Sequence, residues 1–185
     1  MKNAVLVRRI NLTFRQIIGR VIYNLIGKHM PLSDSRYSLG SKRLRAWCGR
    51  RILLECGKNV NIEKGAVFAN DVKLGDNSGI GVNASISSGV TIGNDVMMGP
   101  ECIILTTNHG MLDNGIPMWQ QHSSEIRPVI IGDNCWIGSR VIILPGVTLD
   151  EGCVIGAGSV VTKSFGKNCI IAGNPAHLIK HRAKE

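Results

Sequence analysis

From Ile62 onward every sixth residue is apolar: Ile62, Phe68, Leu74, Ile80, Ile86, Ile92, Met98 and Ile104, then, after a break, Ile131, Ile137, Ile143, Leu149, Ile155 and Val161. Four residues after each stands a smaller or medium side chain, from Ala66, Val72 and Ser78 through Cys135, Val141 and Val147 to Cys153 and Ser159, with Phe165 the exception. Between the two positions lie pairs such as Asn70-Asp71, Asp76-Asn77, Asp133-Asn134 and Pro145-Gly146, most of them turn formers. A period of six is neither the 3.6 residues of a helix nor an alternation of two. It predicts a short strand plus a corner, three such units to a coil, with coils stacked about 4.8 Å apart by backbone hydrogen bonds. The expected element is an all-β, parallel prism with an aliphatic core, about 4.7 coils and about 22 Å long. Periodicity alone leaves its hand open.

Upstream the pattern changes. Ile10, Phe14, Ile17, Ile18, Val21, Ile22 and Leu25 follow the one-face spacing of an amphipathic helix, with Arg9, Arg15, Gln16 and Arg20 around them. A second short helix is expected to hold Leu44, Trp47 and Cys48. The organisation predicted is a basic, mainly helical segment over 1–57, a parallel β-helix over 58–176 with a loop at about 105–130, and a tail over 177–185 with a short C-terminal helix. The N-terminal helices are expected to cap the open first coil, whose edge would otherwise template aggregation, and to offer a docking face to an anionic membrane.

Composition narrows the class. A chain of 185 residues makes one domain with a real core. Its 22 glycines beside 44% hydrophobic residues fit neither collagen nor a disordered tail. The net charge of +9 sits in residues 1–57, where twelve Lys and Arg face only Asp34 and Glu55. No zinc knuckle or aromatic stacking platform accompanies that charge, so a nucleic-acid partner is not expected. The six cysteines form no C-x-x-C pair. Ala4 to Val7 are cut off by Arg8 and Arg9, which predicts neither a signal core nor a spanning helix. The expected location is therefore the cytoplasm, peripheral at the inner face of the membrane. Cys135 and Cys153, one coil apart, are read as small buried hydrophobes.

The break runs from Ile104 to Ile131, an interval that six does not divide, so the chain leaves the prism and returns. Loops this long in a compact repeat carry function or are disordered, and Ile116, Met118 and Trp119 argue against disorder. His109 stands where the coil opens, after Thr106, Thr107 and Asn108. Neutral imidazole, with an ordinary pKa of about 6.5, can take a proton from a hydroxyl as its oxygen attacks a carbonyl. Glu101 and Glu125 are the carboxylates within reach in sequence, each expected to be a solvated charge. A metal site is not expected. A zinc site of this kind needs convergent histidines, and apart from His122 the others, His29, His177 and His181, fall outside the repeat or at its end.

The combination "WIGS", "PGVTL", "IGAGSVVTK" and "AGNPA" resembles the hexapeptide-repeat acyltransferases, in particular the galactoside, maltose and polysaccharide O-acetyltransferase branch, over about Val60 to Lys180. That resemblance implies a left-handed parallel β-helix, a homotrimer, and acetyl-CoA as acetyl donor. It implies His109 as catalytic base. Carried over position by position, it puts the donor contacts on Trp136, Ser139, Gly156, Ala157, Thr162, Lys163 and Lys180. Gly79 and Gly81 stand where galactoside-type enzymes place a tyrosine and an asparagine, and His177 where relatives often have arginine. Asn83, Asn108 and Trp119 are then the acceptor candidates. The expected activity is O-acetylation of a sugar hydroxyl in a surface polysaccharide or its precursor. The alternatives are N-acetylation of an amino sugar or xenobiotic, and a non-catalytic β-helix scaffold.

Overall fold

The computed structural model describes residues 12–182. The six-residue units wind into a three-faced prism in which every third unit returns to the same face and pairs in parallel with the one below. One face holds β1 (Glu55–Cys56), β4 (Lys73–Leu74), β7 (Val90–Ile92), β10 (Val129–Ile131) and β13 (Thr148–Leu149), extended by a bridge from Leu149 to Phe165. The second holds β2 (Asn61–Ile62), β5 (Gly79–Ile80), β8 (Met97–Met98), β11 (Trp136–Ile137), β14 (Val154–Ile155) and β16 (Cys169–Gly173). The third holds β3 (Val67–Phe68), β6 (Ser85–Ile86), β9 (Ile103–Ile104), β12 (Ile142–Ile143) and β15 (Val160–Val161).

Both inward positions of the repeat point to the axis. Ile62, Ala66, Val72, Ile80, Ala84, Ile137, Val141, Leu149 and Cys153 are all fully buried. The cysteines are free thiols. A hydrogen bond with Cys135 and burial push the Cys153 thiol far above its ordinary value, as suits an apolar filler. At the corner between the first two faces, stacked polar side chains continue the ladder outside the core. Asn59 donates to Asn77 and Asn77 to Asp95, at 3.1 and 2.9 Å. Asn59, Asn77, Asp95 and Asn134 each hold positive φ there, the conformation asparagine and aspartate tolerate best after glycine. Gly138 has a different reason: a Cβ on it would lie 2.6 Å from the Ala157 backbone nitrogen of the next coil.

The prism is longer than expected. It begins at Glu55, ahead of the expected boundary at 58, and the first two faces reach six layers while the third has five. Phe165 fits the repeat after all. The corner after β15 is shortened, so Phe165 fills the place above Leu149, and β16 meets β14 with Ile170 against Val154 and Ile171 against Ile155.

Among the described residues the C-terminal tail forms a strand and no helix. The chain reverses after Gly173, and β17 (Ala176–His181) pairs antiparallel with β16. The reason is the open edge of the last coil, whose unpaired backbone groups a strand satisfies and a helix does not.

Two helices close the other end. α1 (Phe14–Leu25) opens with a capping box in which Thr13 and Gln16 bond each other's backbone. α2 (Ser41–Ile52) lays Ala46, Cys48, Gly49 and Ile52 over the open core, with Gly49 so close to Ile62 that a Cβ there would displace the end of the Ile62 side chain. The carbonyls of the first coil have no strand above them, and side chains take that role. Tyr23 Oη donates to the Ala66 carbonyl at 2.8 Å and Arg20 Nη2 to that of Phe68 at 2.9 Å. Arg45, fully buried, donates from Nε to the Ile62 carbonyl at 2.5 Å, and from Nη2 to Glu63 at 3.2 Å and Ser33 Oγ at 2.7 Å. Capping is thus as expected, but the side of α1 that does it is not. Gly19 and Tyr23 face the prism, while Phe14, Ile17, Ile18, Val21 and Leu25 are exposed. Arg9 and Ile10 lie outside the described residues.

Candidate active site

The segment from 105 to 128 leaves the corner between the third and first faces, where β9 would otherwise turn into β10. Its exit is pinned to the prism. Thr106, buried, donates from Oγ1 to the Ser88 carbonyl at 2.7 Å, and Ser88 Oγ in turn donates to Asp71 at 2.6 Å. The outgoing and returning strands of the loop are zipped together: Arg127 N to Thr106 O, Ser124 N to Asn108 O, and Asn108 N to Ser124 Oγ, all between 2.8 and 2.9 Å. Further out, Gln121 Nε2 donates to the Asp113 and Ile116 carbonyls at 2.8 and 3.3 Å. The loop is therefore built, not loose, and its apolar side chains face outward: Leu112 is 93% and Trp119 78% exposed.

His109 opens onto a cavity of ≈ 560 Å³ that Asn108, Met111, Leu112, Gln121 and His122 also line. Its Nδ1 lies 3.1 Å from the Gly110 carbonyl oxygen. A carbonyl can only accept, so that contact keeps the proton on Nδ1 and leaves the Nε2 lone pair free. Neither Glu101 nor Glu125 orients the ring. Glu101 is engaged by Arg140 Nε at 2.7 Å, on another corner. Glu125 is exposed, with no bond to His109 among the described residues. Gly110 has a role that sequence reasoning passed over: a Cβ there would collide with the His122 backbone. Ser124, which ties Asn108 in place, left no signal beyond being a small polar residue opposite it across the loop.

The other expected residues fall into three groups. Ser139, Gly156 and Ala157 lie at the corner between the second and third faces, where Ser139, Arg140, Ala157, Gly158, Pro100 and Glu101 line a cavity of ≈ 570 Å³. Thr162 and Lys163 follow β15 on the same corner as the loop, two coils further on, and Lys163 Nζ sits 5.7 Å above the Phe165 ring. Trp136 and Lys180 project from the second face and its added strand. Of the acceptor candidates, only Asn108 shares the cavity of His109. Trp119 is on the same loop but does not line it, and Asn83, at positive φ, sits on the Ser139 corner. One chain thus brings His109 and Asn108 together but holds them on a different corner from Ser139 and Ala157.

Comparison with known proteins places this arrangement. A family model described as the hexapeptide repeat of succinyl-transferase matches residues 71–99 and 128–163. A protein of Escherichia coli K12 named as an acetyltransferase of colanic acid biosynthesis, WcaF, is 32% identical over 146 residues, 77% of each chain. Galactoside O-acetyltransferase of the same organism is 53% identical over 53 residues, but these are only 26% of its length. The maltose O-acetyltransferase structure from Clostridium difficile 630 superposes with a TM-score of 0.73 at 28% identity, covering 92% of this chain and 87% of that one. A galactoside acetyltransferase solved with coenzyme A gives 0.70 at 26%, covering 90% and 80%. The prism is accordingly the left-handed parallel β-helix of these enzymes, and the chain belongs to the hexapeptide-repeat acyltransferases.

Proposed function

We propose that this protein is an acetyl-CoA-dependent O-acetyltransferase that works as a homotrimer on a sugar hydroxyl, in a surface polysaccharide or its precursor, at the cytoplasmic side of the membrane. The observation that carries the reading is His109, with a free Nε2, facing a cavity large enough for a sugar unit. The similarity to WcaF supports a glycan acceptor.

The residues present suit the donor. Ser139, Ala157 and Gly158 give one wall of the cavity at their corner small side chains, along which a thin pantetheine arm can lie. Lys163 and Lys180 are exposed cations for phosphates. When bound, acetyl-CoA supplies an activated acyl carbonyl. The chain's own part is to hold the acceptor and move its proton. Asn108 offers an amide to the sugar beside His109, and Nε2 accepts the hydroxyl proton as the oxygen becomes nucleophilic. The Gly110 carbonyl, facing Nδ1–H, steadies the imidazolium that results.

Two sets of side chains support a trimer. The outward residues of the third face are Val67, Ser85, Ile103, Ile142 and Val160, nearly all apolar, and the loop exposes Leu112 and Trp119. Side-by-side packing of three prisms buries such surface and brings the loop corner of one chain to the Ser139 corner of a neighbour.

The test is thiol release from acetyl-CoA with a panel of sugars, amino sugars and glycan fragments. An acceptor acetylated on oxygen by the wild type, with kcat/KM at least about a hundredfold lower in His109→Ala, is the expected result. Acetylation on nitrogen would move the assignment to an N-acetyltransferase. Equal activity in the variant would remove His109 from the chemistry.

A further inference from the structure

The exposed side of α1 is the feature that the acetyl-transfer reading leaves unused. At about 100° per residue, Phe14, Ile18, Val21 and Leu25 share one side of the helix, opposite the side on which Gly19 and Tyr23 are buried. Phe14 is 78% and Leu25 73% exposed. A surface helix ordinarily turns its apolar stripe inward and its charges out. Here a second apolar stripe looks away from both α2 and the first coil, and Leu12 and Ile26, just beyond the two ends of the helix, are exposed as well.

The surroundings of the stripe say what covers it. α1 contains two arginines and no acidic residue. Residues 1–57 as a whole carry twelve basic against two acidic side chains, whereas the rest of the chain has ten against eleven. A second copy of the same cationic end would be repelled on approach. Nucleic acid would satisfy the charge and leave the stripe in water. An anionic bilayer satisfies both, taking large apolar side chains below its head groups and drawing basic ones to its phosphates.

We propose that α1 is a membrane-docking element whose outward stripe of Phe14, Ile17, Ile18, Val21 and Leu25 enters the interface of a bilayer bearing anionic lipids. Docking is peripheral, because no helix among the described residues is long and apolar enough to cross a membrane. It stands apart from the chemistry at His109 and does not depend on which acceptor is used. The capping side of α1 stays on the prism throughout, since the bonds from Arg20 and Tyr23 leave its opposite side.

The experiment is co-sedimentation of the full chain with vesicles of phosphatidylcholine, with and without phosphatidylglycerol. Binding to the mixed vesicles only, weakened by added salt, is expected. A Phe14→Ser, Val21→Ser, Leu25→Ser variant should bind at least about tenfold less, with an unchanged thermal midpoint and elution volume, because none of those side chains belongs to the core among the described residues. Failure of the wild type to sediment with the mixed vesicles, or equal binding by the variant, overturns the proposal. So does a fall in the variant's oligomeric mass, which would make the stripe a contact between copies.

Discussion

Arg45 shows how a charge can be buried without being stranded. Its guanidinium reaches carbonyl, hydroxyl and carboxylate oxygens on two different segments, so truncation leaves the Ile62 carbonyl without its side-chain donor and Glu63 without its cation at the closed end of the prism. Arg45→Ala should cost about 3–5 kcal/mol in chemical unfolding. Glu63 adds a pH dependence. Burial opposes its ionisation, but hydrogen bonds from Asn61 and Ser33 together with Arg45 outweigh that and hold its carboxyl below the ordinary value. The folded chain therefore binds this proton less tightly than the unfolded one. The contribution is complete above the ordinary carboxylate value of about 4.3 and fades as pH falls through the lower folded value. Thermal unfolding followed across that range should fall more steeply in the wild type than in Glu63→Gln. Little of this was legible beforehand, because Arg45 reads as one more basic residue in a basic segment. The place of His109 at the exit of the loop was legible, since the repeat stops beside it, whereas its contact with the Gly110 carbonyl depends on a backbone turn that spacing does not encode.

Helices and strands differ in what their patterns disclose. The strands were readable because each repeat places two apolar residues on the axis, and a period of six has no other economical geometry. The first unit, Glu55–Cys56, escaped because it adjoins a helix with no turn-forming pair between them. β17 escaped because a segment as short as Ala176–His181 carries too little periodicity to separate strand from helix. α1 was found, but periodicity identifies an apolar side without saying what it meets. Gly49 decides how the second helix seats: its missing Cβ lets α2 rest on Ile62. Gly49→Leu should lift that helix and lower the thermal midpoint, by about 2–3 kcal/mol in stability, while Gly40→Asn, at a positive-φ position with open space around it, should be nearly silent.

The molecule as a whole is a column closed by helices at one end and by an antiparallel strand at the other, and the proposed trimer uses its apolar third face. Val67→Asp with Ile103→Asp, both on that face and both exposed, should convert a species of three chain masses into one in light scattering, without loss of the β signal in circular dichroism. The strands on either side of the loop pair as if it were absent: Ile103 lies against Ile142 in the same parallel register in which Ser85 lies against Ile103 one coil below, so the whole excess of chain hangs from a single corner. No core position changes register to accommodate it. The column therefore tolerates a cassette of arbitrary length at that point. A chain in which 107–126 is replaced by one short glycine-rich turn should keep the β signal of the parent in circular dichroism while turning nothing over. By the same token, a cassette from a related enzyme could be spliced in to change the acceptor without redesigning the wall that carries it.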